Sequence, residues 1–399
     1  MAPLKGKSPF SPGQPVPVEL FVGRAEQVNH IMQRGVGQVA LGKSSYVYLQ
    51  GEYGIGKSSL AAFLQSSAEF ESGLHGIYCA LGPAENLNDV GSALIKAVIQ
   101  SGAFNPRRSE IVRKWLSKYI GDQSIFGVTF HAGALEADAP SIAEGTLPFL
   151  QQTFERLKET GIKGLFLILD EINGIARNPK FAHFIKDIVD TNAVSRNPLP
   201  LFLMLCGVEE RRMEMIQNYE PIARIFDVVD IPAMSGSEME EFFSKAFASV
   251  QYKVNKGALE FMSEYSAGFP KVMHEVGDAA FWTDTDGIID HADAMSAVMG
   301  AAEQVGKKYV DQQVVSALRS SDYKSILKKI AVEGPDVMAF KKQDIVKGLT
   351  EVQKKKFSNF LQKMKQLKVL RSGEVNGEYV FINRMVRLYL WLENINKSA

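Results

Sequence analysis

Gly51-Glu52-Tyr53-Gly54-Ile55-Gly56-Lys57-Ser58 is the stretch that decides the fold. It fits the pattern G-x-x-x-x-G-K-[ST], and its surroundings are those the pattern requires. An apolar, strand-like Tyr46-Val47-Tyr48-Leu49 runs into it, and Ser59-Leu60-Ala61-Ala62-Phe63-Leu64 leaves it as a helix start. Glycines at such a turn let main-chain N–H groups face inward around phosphate oxygens, and the new helix adds its positive end. Gly51, Gly54, Ile55, Gly56, Lys57, Ser58 and Ser59 are therefore candidate phosphate contacts. Lys57 is expected to reach the β- and γ-phosphates, and Ser58 to hold Mg2+ through its hydroxyl. The bland alternative is a Gly-rich turn with an exposed lysine. A strand before the motif and a helix after it argue against that. The stretch implies a nucleoside triphosphate site, with ATP and Mg2+ as cofactors.

Outward from this loop, strands and helices alternate, the pattern of a parallel sheet covered on both faces. The expected strands are Tyr46–Gln50, Gly76–Leu81, Gly164–Leu169, Pro200–Cys206 and Val228–Ile231. Between the second and third lies a long, largely helical stretch, Asn86–Gly161, in which Ser124–Phe130 could add a strand or hairpin. The third strand, Leu165-Phe166-Leu167-Ile168-Leu169, ends in Asp170-Glu171. A triphosphate site needs such an acidic strand end. Asp170 is expected to contact the metal or one of its waters, and Glu171 to polarise the attacking water as general base.

Composition bounds the rest. The 399 residues suffice for two or three domains. Hydrophobic content of 46% and charged content of 23% are ordinary for a soluble globular chain, and the net charge is zero. Cys79 and Cys206 both lie in apolar, strand-like runs and read as reduced core residues of a cytoplasmic protein. No apolar run is long enough to cross a bilayer, and no basic-then-apolar leader pattern opens the chain, so no membrane partner is expected. The first residues are Pro-rich and suggest a mobile arm.

From Ser235 to about Ala301 the texture becomes amphipathic helices without strand signal, with Ser237 as expected N-cap of the first. The last part reads as helix, helix, helix, hairpin, helix: Asp322–Ala331, Lys342–Gly348, Val352–Leu367, then Val369–Arg371 and Tyr379–Ile382 around Asn376-Gly377. That order is the winged version of a helix-turn-helix. From Ser321 through Arg371 there are thirteen Lys or Arg against five Asp or Glu, a net of about +8. Lys354, Lys355, Lys356, Lys363 and Lys365 fall on the third helix, whose buried side is expected to be Val352, Phe357, Phe360, Leu361, Met364 and Leu367. Double-stranded DNA is one candidate partner. A solvated basic face on a protein-binding winged helix is the other. Five segments follow: an arm at 1–18, a nucleotide-binding core at 19–234, a helical lid at 235–301, a linker helix at 302–319 and a winged-helix domain at 320–399.

Phe21-Val22-Gly23-Arg24-Ala25-Glu26, the phosphate loop, Asp170-Glu171, Gly268-Phe269-Pro270 and the terminal winged helix together resemble the AAA+ superfamily. The resemblance spans about Phe21 to Trp391. It is strongest to the branch of archaeal ATPases and origin-recognition initiators, and to the STAND signalling ATPases. It implies a five-stranded α/β core, a helical lid and a homo-oligomer. Val22 and Gly23 would lie near the adenine, Pro270 would open a lid helix, and Lys271 would be a basic sensor of the γ-phosphate. Arg224 would be offered to the neighbouring subunit's γ-phosphate. The plainer readings are a solvated lysine at a helix start for Lys271 and a surface ion pair with Asp227 or Glu220 for Arg224. Arg211 and Arg212 are weaker rivals for the arginine's task. One departure stands out. The fourth strand ends Leu205-Cys206-Gly207-Val208, where the family usually places a polar residue to orient the lytic water. Slow turnover, and a switch in preference to a motor, is the expectation. The alternatives are a nucleotide switch that oligomerises on DNA, a STAND-type switch that binds a protein partner, and an inert nucleotide-binding scaffold. A small-molecule kinase is disfavoured, because no acceptor site is visible.

Overall fold

The computed structural model describes residues 5–14, 16–101, 108, 110–112, 114, 139–332, 337–382 and 384–396. The chain divides into two compact units, Pro17–Pro232 and Ala233–Ala399, the latter including the segment before Pro17. The suggested strand at 124–130 lies outside the described residues.

The first unit is built on five strands: β1 (Ser45–Gln50), β2 (Leu74–Ala80), β3 (Gly164–Asp170), β4 (Leu201–Gly207) and β5 (Asp227–Asp230). They form one sheet in the order β2-β3-β4-β1-β5, every pair parallel. β3 and β4 are buried at every position. Such continuous burial is what a parallel sheet with helices on both faces imposes, and it explains the unbroken apolar runs. Its helices include α1 (Ala25–Ile31), α2 (Lys57–Ser67), α3 (Leu87–Gln100), α4 (Ala139–Lys158), α5 (Pro179–Val194) and α6 (Glu209–Asn218). Their starts follow local rules. Asn86 caps α3 in a reciprocal box with Asp89, and Asn178 caps α5 with Pro179 at its first position. β4 stands between β1 and β3, so the carboxyl ends of those three strands share one edge of the sheet. Ligand sites of open α/β sheets form at that edge.

The second unit holds α7 (Gly236–Ser249), α8 (Lys256–Ser266), α9 (Pro270–Thr283) and α10 (His291–Val305), the last continuing as a π-helix over Gly306–Val315. Beyond it come α11 (Ser321–Ile330), β8 (Ala339–Lys341), α12 (Lys342–Lys347), α13 (Glu351–Gln366), β9 (Leu370–Ser372), β10 (Glu378–Phe381) and α14 (Arg384–Asn396). Two short strands, β6 (Lys253–Val254) and β7 (Ile288–Ile289), pair in parallel inside the region expected to be purely helical. At two residues each, they are too short to leave a period in the sequence. The cap of α7 is Ser235, not Ser237. Ser235 accepts from the Glu238 N–H while the Glu238 carboxylate accepts from the Ser235 N–H. The hairpin β9–β10 gains a third strand, β8, on its other side. Val352 does not join the buried side of α13. It is 55% exposed, and Gln353 is buried beside it as part of the capping box with Thr350. The stretch expected as a linker packs closely: a Cβ on Gly306 would come within 2.1 Å of the Tyr389 ring, and Tyr389 donates to Asp311 at 2.8 Å.

The Pro-rich N-terminal segment, expected to move freely, is docked in this unit. Phe10 is 4% exposed and sits 4.9 Å from the Phe247 ring and 5.9 Å from the Phe242 ring. It lies over Gly277, where any Cβ would collide with it. The Ser11 N–H donates to His274 Nδ1 at 3.1 Å. That histidine is kept neutral, because burial pushes it down to about 4. Lys5 donates to the Phe281 and Asp284 carbonyls at the end of α9, where a cation meets the negative end of the helix. Composition hid this, because a single buried ring outweighs a run of prolines. Phe10→Ala should therefore lower the unfolding free energy by about 3 kcal/mol in urea titrations. A change below about 0.5 kcal/mol, the size expected at a surface position, would mean the segment is not docked.

Candidate functional site

β1 gives way to α2 through Gly51–Gly56. Gly54 (φ 77°) and Gly56 (φ 99°) occupy left-handed backbone that residues with a Cβ resist, and Gly56 is the N-cap of α2. No side chain caps the amides that open α2. The helix start is thus shaped for an anion brought from outside. The loop is also close-fitted at its base, where a Cβ on Gly51 would lie 2.9 Å from the Ile55 side chain and 3.1 Å from the Ile231 carbonyl. Lys57 Nζ donates to the carbonyls of Gly51 (2.9 Å) and Glu52 (2.8 Å) and lies 5.7 Å from the Tyr53 ring centroid. Its ammonium therefore sits over the loop, while Ser58 and Ser59 follow it in the first turn of the helix.

The acidic pair stands at the neighbouring tip. Asp170 ends β3 at 2% exposure. Its Oδ1 accepts from the Glu171 N–H at 2.8 Å, and its Oδ2 accepts from the Tyr78 hydroxyl of β2. Cys206 is fully buried at the end of β4. Burial first, then the charge of Asp170, pushes the Cys206 thiol up, so it stays protonated. Glu171 is exposed and held at φ 57°, an uncommon conformation for a residue with a side chain. Its carboxylate lies against Gly82, where a Cβ would come within 2.4 Å of Oε2. At the end of β4 the side chains are Cys206 and Val208, both buried, as expected from the sequence. The nearby polar groups are spent on the backbone: Tyr48 donates to the Val208 carbonyl at 3.1 Å, and Asn173 accepts from the Val208 N–H at 3.3 Å.

Arg24 is a site residue that sequence reasoning missed. It is 5% exposed and takes left-handed backbone (φ 62°) directly after Gly23 (φ 71°). Its guanidinium donates to the Ile55 carbonyl at 3.2 Å and to the Pro232 carbonyl. One buried cation thereby fixes Val22 and Gly23 beside the phosphate loop and ties the chain after β5 to the same point. Phe21 stacks on Phe63 of α2 at 4.4 Å, which holds the segment from the other side. Nothing local in the sequence marks Arg24 as the staple.

The arginines separate by their partners. Arg211 pairs with Glu214 at 2.5 Å, and Arg212 donates to Gln50 Oε1 at 3.0 Å. Arg224 ends a short 3-10 turn, Glu220–Arg224, is exposed, and makes no ion pair among the described residues. The expected partner Asp227 is instead held by His30 at 2.6 Å. Pro270 and Lys271 belong to the second unit. Pro270 opens α9, and Lys271 is exposed in its first turn.

The residues present fit a nucleotide with a hydrated Mg2+. Ser58 and Asp170 are hard oxygen donors, and among the described residues no cluster of three His, Cys, Asp or Glu gathers for a metal. Mg2+ suits such a sparse set, because it keeps several waters and takes its other ligands from phosphate. No protein-family model matches the chain, and no curated protein matches it in sequence. Solved structures do. The Walker-type ATPase PABY2304 of Pyrococcus abyssi superposes with a TM-score of 0.59 at 17% identity, over 93% of this chain and 96% of that one. The Aeropyrum pernix ORC2 protein, in its ADPNP–ADP complexes, superposes with a TM-score of 0.63 at 14% identity, over 98% and 97%. The chain has the AAA+ P-loop ATPase fold. At these identities it is the fold that is shared.

Within this core, Arg24→Met keeps most of the side-chain volume but removes the donors, leaving two carbonyls unpaired. Unfolding free energy should fall by about 3 kcal/mol in chemical denaturation. A loss under about 0.5 kcal/mol would show that Arg24 does not hold the loop.

Proposed function

We propose that the protein is an ATP-binding and slowly ATP-hydrolysing molecular switch whose nucleotide state controls oligomerisation and DNA association. One observation carries the reading: the Gly51–Ser58 cradle with Lys57, and the carboxylates of Asp170 and Glu171, stand at the carboxyl edge of one parallel sheet. Backbone amides and Lys57 bind the phosphates, and the magnesium ion, when bound, neutralises charge developing on them. Ser58 and Asp170 hold the ion. Glu171, exposed at the strand tip, orients the attacking water and takes its proton. Slow turnover follows from Cys206 and Val208, which offer that water no polar side chain. Arg224, exposed and unpaired among the described residues, suits an arginine presented to a neighbouring copy. Lys271 is the corresponding candidate for a γ-phosphate contact from the lid.

The DNA component is supported by the charge of α13. Lys355 is exposed and Lys363 half-buried, and neither makes an ion pair among the described residues, while Lys365 reaches only the Ser372 hydroxyl. A cleft of about 910 Å³ beside the helix is lined by Arg319, Tyr323, Lys356, Asn359 and Lys363, with no carboxylate in its wall. A second reading, a signalling ATPase whose winged helix binds a protein partner, draws on two features. Val352 is exposed on α13, and Lys354 and Lys356 are already paired with Glu351 (2.8 Å) and Asp322 (2.6 Å).

Glu171→Gln, which retains ATP, separates the two. With Mg2+ and ATP its duplex-DNA affinity should fall with salt at a log–log slope near about −5, for roughly six phosphates met. The same protein with ADP should bind at least about tenfold more weakly. Absence of salt-sensitive binding in either nucleotide state would remove DNA from the account and leave the protein-partner reading.

A further inference from the structure

Tyr78 lies on β2 opposite Ile168 of β3, so its side chain leaves the same face of the sheet as Asp170 two residues on. Its hydroxyl donates to Asp170 Oδ2. A protonated phenol has one proton to give and an oxygen that accepts. That proton is committed to Asp170. Two neighbouring strands, β2 and β3, are thereby joined side chain to side chain near their carboxyl ends.

We propose that Tyr78 is a positioning residue for the metal: its hydroxyl holds the Asp170 carboxylate and sets the Mg2+ affinity of the nucleotide complex. This rests on the nucleotide-binding reading above. The phenol is not itself a metal ligand in this proposal; it acts through Asp170. A Tyr at this place could instead serve only to fill space, and its ring would do that without the hydroxyl.

Tyr78→Phe keeps the ring and deletes the hydroxyl alone. Affinity for a fluorescent ATP analogue is measured first in EDTA and then across a Mg2+ titration. Outer-shell partners of metal ligands commonly contribute 10–100-fold to metal affinity. The half-saturating Mg2+ concentration should therefore rise about tenfold, with affinity in EDTA unchanged within about twofold. In the Asp170→Asn background the same Tyr78→Phe change should have a much smaller effect, because its route to the metal is already cut. An unaltered or lowered Mg2+ requirement, or an equal loss of affinity with and without Mg2+, would overturn the proposal while leaving nucleotide binding intact. A wild-type protein that takes up no nucleotide would overturn both.

Discussion

The turn from β1 into α2 is the constraint on which the rest depends. Gly54 and Gly56 take backbone that other residues resist, and this lets the strand pass straight into a helix whose first amides carry no side-chain cap. A helix start without a cap forgoes about 1 kcal/mol. That cost is sensible only where something else binds there. The same turn places Lys57 over the loop and Ser58 in the first helical turn. The sheet order then brings the tip of β3 to the same edge, with β4 between. Geometry alone thus converts one glycine-rich loop and one acidic strand end into a single site.

Much of the surrounding chemistry serves to hold that edge still. Asp170 is buried and accepts from an N–H and from the phenol of Tyr78, so its carboxylate has little freedom left. Glu171 is set in left-handed backbone and leans on Gly82, a strained placement of the kind that clusters at functional positions. Arg24 pins the loop from below by giving two of its donors to carbonyls of Ile55 and Pro232. The weak point is the end of β4. Cys206 and Val208 place no polar side chain there, which is why the proposed switch is a slow one.

The sheet was readable in the sequence because its signals are local. All five strands were expected within two residues of where they stand, since buried parallel strands write unbroken apolar runs and the phosphate loop marks its own flanks. The misreadings were short or ambiguous features. Ser235-Gly236-Ser237-Glu238 offers two serines before acids, and only the backbone decides which one caps α7. β8 is three residues long and leaves no alternation to find. Val352 and Gln353 exchanged places because the capping box with Thr350 draws the glutamine inward. What could not be read at all were the long-range partners. Tyr78 meets Asp170 across 92 residues, and Arg24 meets Pro232 across 208. Phe10 finds its ring partners more than 230 residues away, and a proline-rich segment gives no hint of them.

The account stands or falls on phosphate binding at the start of α2. Calorimetric titration of ATP with Mg2+ into the folded protein measures it directly. The account predicts saturable uptake at one site per chain, weakened about 10–100-fold in Lys57→Ala through loss of a charged hydrogen bond. Absence of any binding heat across a range of temperatures, by protein that is demonstrably folded, would contradict it.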